Sequence, residues 1–207
     1  MCFSAQASFL AGAGLSGFGI YILQSIKQQK NIPLKVIPLM FGIQQLCEGV
    51  VWITQGNPEH LLYNQIGRYG FLFFALIIWP IWIPYSLYQL VEDEKRKRCM
   101  ASFLGIGATV SSGLGWILFN QGATALISCN HIEYLVNVPE IFLGVSIAWY
   151  CMATIVPFFI MKKTEFKQFG MLLLGSVLIS IIFFYTWFTS VWCFFAALLS
   201  VFIYKIK

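Results

Sequence analysis

The sequence predicts an all-α polytopic membrane bundle of about seven transmembrane helices, N-terminus outside and C-terminus in the cytoplasm. Three observations carry that prediction. Hydrophobic residues make up 59% of the 207-residue chain and charged residues only 10%, against about 25% charged in a soluble domain. Apolar runs of membrane-spanning length recur from one end to the other. Twelve of the thirteen lysines and arginines fall in alternate connections between those runs or in the C-terminal tail. No soluble core hides so much apolar surface, and no polar stretch leaves room for a separate domain, so residues 1–207 read as one transmembrane unit.

A helix needs roughly 20 residues to cross a hydrocarbon core about 30 Å thick. The first run covers residues 4–24, and neither a basic n-region nor a cleavage site marks it as a signal peptide. The second covers 33–54. The third, 68–90, contains Trp79-Pro80 and Pro84, which should kink it because proline lacks a backbone donor and crowds the preceding turn. The fourth covers 101–120 and the fifth 139–161. Residues 168–204 carry no charge, and a single helix of that length would reach ~55 Å. Two spans fit better, 168–185 and 188–204, hinged near residues 185–189 with Tyr185, Trp187 and Trp192 at an interface.

Sidedness follows from charge. Lys27, Lys30 and Lys35 flank the first loop, Lys95, Arg96, Lys97 and Arg98 fill the third, and Lys162, Lys163 and Lys167 mark the fifth. Lys205 and Lys207 end the chain, while the alternate loops hold only Arg68. Basic loops stay in the cytoplasm, so the location expected is the cell (inner) membrane. The same placement accounts for the net charge of +5 without a phosphate-binding groove, so no nucleic-acid partner is expected. The expected partners are the lipid bilayer and a small-molecule or lipid substrate of open identity. Small residues at four-residue spacing, Ser8, Gly12 and Ser16 in the first span and Gly105, Thr109 and Gly113 in the fourth, mark close helix packing and make these two the central helices.

Glu48 is the one ionisable side chain well inside a span, and carboxylates at that depth mark a function or a buried partner. Gln44 and Trp52 lie one turn to either side of it, with Gln45 on the flank, so Gln44, Gln45 and Trp52 read as the wall of a polar cavity. The bland alternative is a Glu48 carboxyl that is protonated, or paired with Arg68, and serves packing alone. The predicted outer side also gathers Cys2, Ser4, Glu59, His60, Arg68, Cys129, His131, Glu133, Glu140 and Cys193. Thiol, imidazole and carboxylate are zinc and copper ligands and also acid, base and nucleophile. The catalytic candidates are Glu48, His131 and Cys2; the binding candidates are Gln44, Gln45, Ser4, Trp52, Arg68 and Tyr134. Glu48, His131, Cys129 and His60 are the candidate ligands of a divalent transition metal. A Cys2–Cys129 disulfide is the sober alternative on an oxidising side. Without Cys-x-x-Cys, histidines inside the spans, or a lysine in the last helix, a disulfide oxidoreductase, a bis-histidine haem protein and a retinal protein are set aside. Three functions stay open: a metal-binding or hydrolytic site at the extracytoplasmic boundary, a small-solute or proton-coupled transporter gated at Glu48, and a structural or assembly protein.

Several motifs add to this. The opening Met1-Cys2-Phe3-Ser4-Ala5-x-Ala7-Ser8-Phe9 is followed by Gln44-Gln45-x-x-Glu48-Gly49-x-x-Trp52 and Trp79-Pro80-x-Trp82-x-Pro84. His131-Ile132-x-Tyr134 and Ser190-Val191-Trp192-Cys193-Phe194-Phe195-Ala196-Ala197 come after. Together they resemble a family of uncharacterised small membrane proteins, mostly bacterial, whose members begin MCFSA. The resemblance implies a multi-pass membrane protein with no assigned activity. It also implies a second histidine just before His131; here that position is Asn130, so a two-histidine metal site would need Cys129 in its place.

Overall fold

The computed structural model describes residues 4–26 and 28–206, with the side chains of residues 140 and 141 excepted. Cys2, Lys27 and Lys207 lie outside the described residues, as does the side chain of Glu140. The helices are α1 (Ala5–Gln24), α2 (Ile32–Lys35), α3 (Ile37–Thr54), α4 (Leu61–Leu72) and α5 (Trp79–Tyr88). Then come α6 (Glu94–Gln121), a hairpin of β1 (Ala123–Ser128) and β2 (His131–Val136), α7 (Glu140–Thr154), α8 (Val156–Ile160), α9 (Thr164–Phe184) and α10 (Phe188–Leu199). Six helical runs among the described residues are long and apolar enough to cross a membrane. Large apolar side chains such as Leu10, Ile53, Trp116, Phe119, Ile182 and Phe183 stay exposed, a surface suited to lipid. The protein is an all-helical membrane bundle.

Small residues seat α1 on α3. A Cβ on Gly12 would come within 2.8 Å of Leu46, and one on Gly42 would strike Ser16. Yet α1 packs chiefly on α3, with smaller contacts to α2 and, through Phe18, to Tyr204 of the C-terminal segment (5.9 Å), so it is a peripheral helix and not a central one. The fourth-span stripe also departs from expectation. Gly105, Thr109 and Gly113 face outward; the close approach is made instead by Gly107, where a Cβ would collide with the Pro80 carbonyl oxygen.

That collision follows from the two prolines. Pro84 cannot donate to the Pro80 carbonyl, which therefore stands free for Gly107 to cover. Upstream of Pro80 the chain widens into a π-helical turn, Phe73–Ile78, and the carbonyls there take side-chain donors. Gln44 Nε2 donates to Phe71 O (3.5 Å), Tyr150 Oη to Ala75 O (2.6 Å) and Ser111 Oγ to Ile77 O (2.8 Å). Such compensation makes a broken helix tolerable in lipid. The helical run also starts earlier than residue 68: α4 begins at Leu61 and shows Leu61, Leu62, Tyr63 and Ile66 on its exposed side.

The uncharged final stretch doubles back through a 3₁₀ turn at Tyr185–Trp187, and α9 and α10 pack together. The C-terminal segment then meets the start of α3, where Lys35 Nζ donates to the carbonyls of Ile203 (2.7 Å), Tyr204 (3.3 Å) and Ile206 (2.7 Å). Lys30, Arg96, Lys162 and Lys163 line a basin at that same end. Lys30 pairs with Glu92 at 2.8 Å, and its hydrogen bond, with its charge second, holds the Glu92 carboxyl below the ordinary range. The Asp93 side chain caps α6 by accepting from Arg96 N at 2.9 Å, which is why that helix starts at Glu94 rather than near residue 101.

The opposite end is closed by a β-hairpin where the sequence suggests a loop. Its register runs from Ala123↔Val136 to Ser128↔His131. Cys129 and Asn130 form the two-residue turn with φ of 50° and 58°, the left-handed pair that a tight hairpin needs. Ile132 and Ala125 pack on Val51, and Gln55 Nε2 donates to Ala125 O at 2.6 Å, so the hairpin is pinned to the end of α3.

Candidate functional site

The buried face of α3 carries Phe41, Gln44, Gln45, Glu48 and Val51, spaced as one side of a helix. Glu48 is fully buried. Its two oxygens accept hydroxyl hydrogens from distant parts of the chain: Ser190 Oγ of α10 on Oε1 at 2.5 Å, and Ser8 Oγ of α1 on Oε2 at 3.4 Å. Close seating of α1 makes this reachable, because a Cβ on Gly49 would meet the Phe9 ring at 2.8 Å. One helix of each terminal region is thereby tied to α3.

Among the described residues Glu48 pairs with no cation. The ion pairs there are Lys30–Glu92 and Arg96–Asp93, both at the basic end. Arg68 turns away instead, toward Asn64 Oδ1 (3.5 Å) and over the Tyr69 ring (5.7 Å). The suggested Glu48–Arg68 pair is therefore not made.

Gln44 connects the site to the kinked helix. Its Oε1 accepts from Trp79 Nε1 at 2.8 Å while its amide nitrogen reaches Phe71 O. Gln45 is equally buried and its amide lies close enough to the Glu48 carboxyl to interact with it, but neither amide atom has a partner at hydrogen-bond distance among the described residues. Trp52 Nε1, Arg68 Nε and Tyr134 Oη are likewise buried and unsatisfied there. Tyr134 stacks on Phe71 with centroids 4.6 Å apart. Burial, and after it the field of Glu48, push its phenol well above the ordinary value, so it stays a donor. Buried polar groups in folded proteins are normally partnered. The Gln45 amide and the Tyr134 hydroxyl, left over near the one carboxyl, suit ordered water or a small hydrogen-bonding ligand.

The remaining candidates have other work. Ser4 caps α1, its Oγ accepting from Ala7 N at 3.2 Å. His60 is exposed, edge-on to Tyr63 at 6.2 Å. Cys129 sits exposed in its left-handed turn, without a disulfide among the described residues. His131 is 7% exposed and packs against Trp187 (4.7 Å) and Phe184 (5.4 Å), its Nδ1 2.7 Å from Cys129 O. With Trp187 Nε1 donating to Ser128 Oγ at 2.9 Å, it locks the hairpin onto the α9–α10 reversal. Glu48, His131, Cys129 and His60 do not converge: no group of three His, Cys, Asp or Glu fit to hold a metal forms among the described residues. Sequence reasoning missed Ser190, Trp79 and the site role of Ser8. The signal for Ser190 was its position as the polar residue opening an otherwise apolar motif.

No curated protein and no solved structure matches the chain. A family model does match it, over residues 1–207, and the chain belongs to that family of unknown function, DUF6629.

Proposed function

We propose that this protein crosses the cell (inner) membrane seven times with its basic loops in the cytoplasm. In the outer half of the bundle, Glu48 is the proton-exchanging centre of a binding site for a small hydrogen-bonding solute. The observation that carries this reading is a fully buried carboxyl without a cation partner among the described residues, held by serine hydroxyls from two helices, with the unsatisfied Gln45 amide and Tyr134 hydroxyl near it. Structural carboxyls are paired; one left like this is kept for exchange with something that comes and goes. Gln44 favours transport in particular, because it links the Glu48 face to the π-helical turn and Trp79, the flexible part of the third helical run. Solute or proton occupancy at Glu48 can then bias the kink.

Glu48→Gln keeps the shape and removes the exchangeable proton. Infrared difference spectra of reconstituted protein taken across pH should show a carboxyl signal that Glu48→Gln removes while helicity is retained. An unchanged signal in the variant contradicts the reading. Stoichiometric bound metal, lost in His131→Ala, would favour a metal site instead.

A further inference from the structure

We propose that the gap between α7 and α10 is a bilayer-facing site for one hydrocarbon chain of an amphipathic lipid. Helix α7 packs on α5, α6 and α8 and meets α10 through the Tyr150–Trp192 ring contact; beside that contact a cavity of about 200 Å³ lies between the two helices. Its walls are apolar, with Leu72, Ala75 and Leu114 behind and Leu143 and Ile147 on α7. Leu143 and Ile147 line the cavity and are also exposed on the apolar flank of α7, beside Phe142, Val145 and Trp149, so the gap opens toward lipid rather than toward water. The few polar groups in these walls, Ser146, Thr189, Tyr134 and Trp192, are scattered among apolar side chains, a poor match to the two to four polar partners that each water of a cluster needs.

The cavity is extended. A second one, about 40 Å³, shares Tyr150, Trp192 and Cys193 with the first and continues to Ile37, Ile155 and Ile203. The Tyr150 and Trp192 rings meet edge to face at 5.4 Å and form the partition between the two. From Leu143 to Thr154 along α7 the lining of the two cavities covers ~16 Å, about half of the ~30 Å hydrocarbon thickness and so about one leaflet. That is the shape of an acyl or isoprenoid chain. Two donors stand in its wall, Tyr134 Oη and Trp192 Nε1, both buried and unsatisfied among the described residues. They suit the ester, carboxyl or hydroxyl oxygens at the polar end of such a ligand. Tyr134 also lies beside Glu48, so the site deepens the Glu48 reading by naming an amphiphile as its ligand, although chain binding does not require Glu48 to exchange a proton.

The test uses the full chain in phosphatidylcholine vesicles doped with a lipid bearing a diazirine on one acyl chain, irradiated and mapped by mass spectrometry. Adducts should concentrate on residues 143–150 and 188–193. Ser146→Trp, which fills the cavity from a half-buried position, should make that labelling about tenfold weaker. Ala148→Trp, on the exposed side of α7, should leave it unchanged and controls for folding. Glu48→Gln should keep the labelling while losing the carboxyl signal, which separates failure of the chain site from failure of the Glu48 reading. Labelling spread evenly over all lipid-facing helices, or undiminished in Ser146→Trp, overturns the proposal.

Discussion

Ser8 and Ser190 stand 40 and 142 residues from Glu48 in sequence, yet both hydroxyls reach one carboxyl. Removing one of them leaves a carboxyl oxygen in the buried site short of its hydroxyl donor. Ser190→Ala should therefore lower stability by about 1–3 kcal/mol, read as thermal unfolding in detergent. A serine on an exposed helix face should change little. At this scale the sequence was half legible. Glu48 stands out because a deep carboxyl is costly wherever it occurs. Its partners do not, since a serine in an apolar helix reads equally well as a packing residue, as Ser8 did in its small-residue stripe. His131 shows the opposite failure: residue type suggested ligand chemistry, while aromatic neighbours 53 and 56 residues further on, Phe184 and Trp187, pack against the ring.

Elements were legible where hydropathy alone decides, as in α1 and α3, and less so where a tertiary partner decides. Gly105, Gly107 and Gly113 look alike in the sequence, but only the freed Pro80 carbonyl shows which one must lack a side chain. Gly107→Ala should destabilise by about 1–3 kcal/mol through overpacking against backbone, whereas Gly105→Ala and Gly113→Ala should stay within about 0.5 kcal/mol. Thermal unfolding of the three variants side by side decides it. The hairpin escaped detection because Cys129-Asn130 lacks the glycine that usually advertises a two-residue turn. At the basic end, the Lys30–Glu92 pair joins the first and third connections. A carboxyl whose value is lowered by folding adds stability above its ordinary range, and that stability is lost as pH falls through the lowered value. Lys30→Met should therefore flatten the acid side of the stability profile, in unfolding followed over about pH 3 to 6. The effect should be small, because the pair is exposed and screened.

Taken as a whole, the molecule is segregated by charge along its length. Lys30, Lys35, Arg96, Lys162 and Lys163 surround one end, and the hairpin, with Gln55 and Asn64 beneath it, closes the other. The Glu48 site lies in the half of α3 nearer the hairpin. If the basic end is cytoplasmic, solute reaching Glu48 comes from outside the cell or from the outer leaflet. Two native thiols report on this directly, since Cys99 is exposed among the basic residues and Cys129 is exposed at the hairpin tip. A membrane-impermeant maleimide applied to intact cells should modify Cys129 and spare Cys99 until the membrane is permeabilised. Modification of Cys99 in sealed cells, with Cys129 protected, would contradict the account.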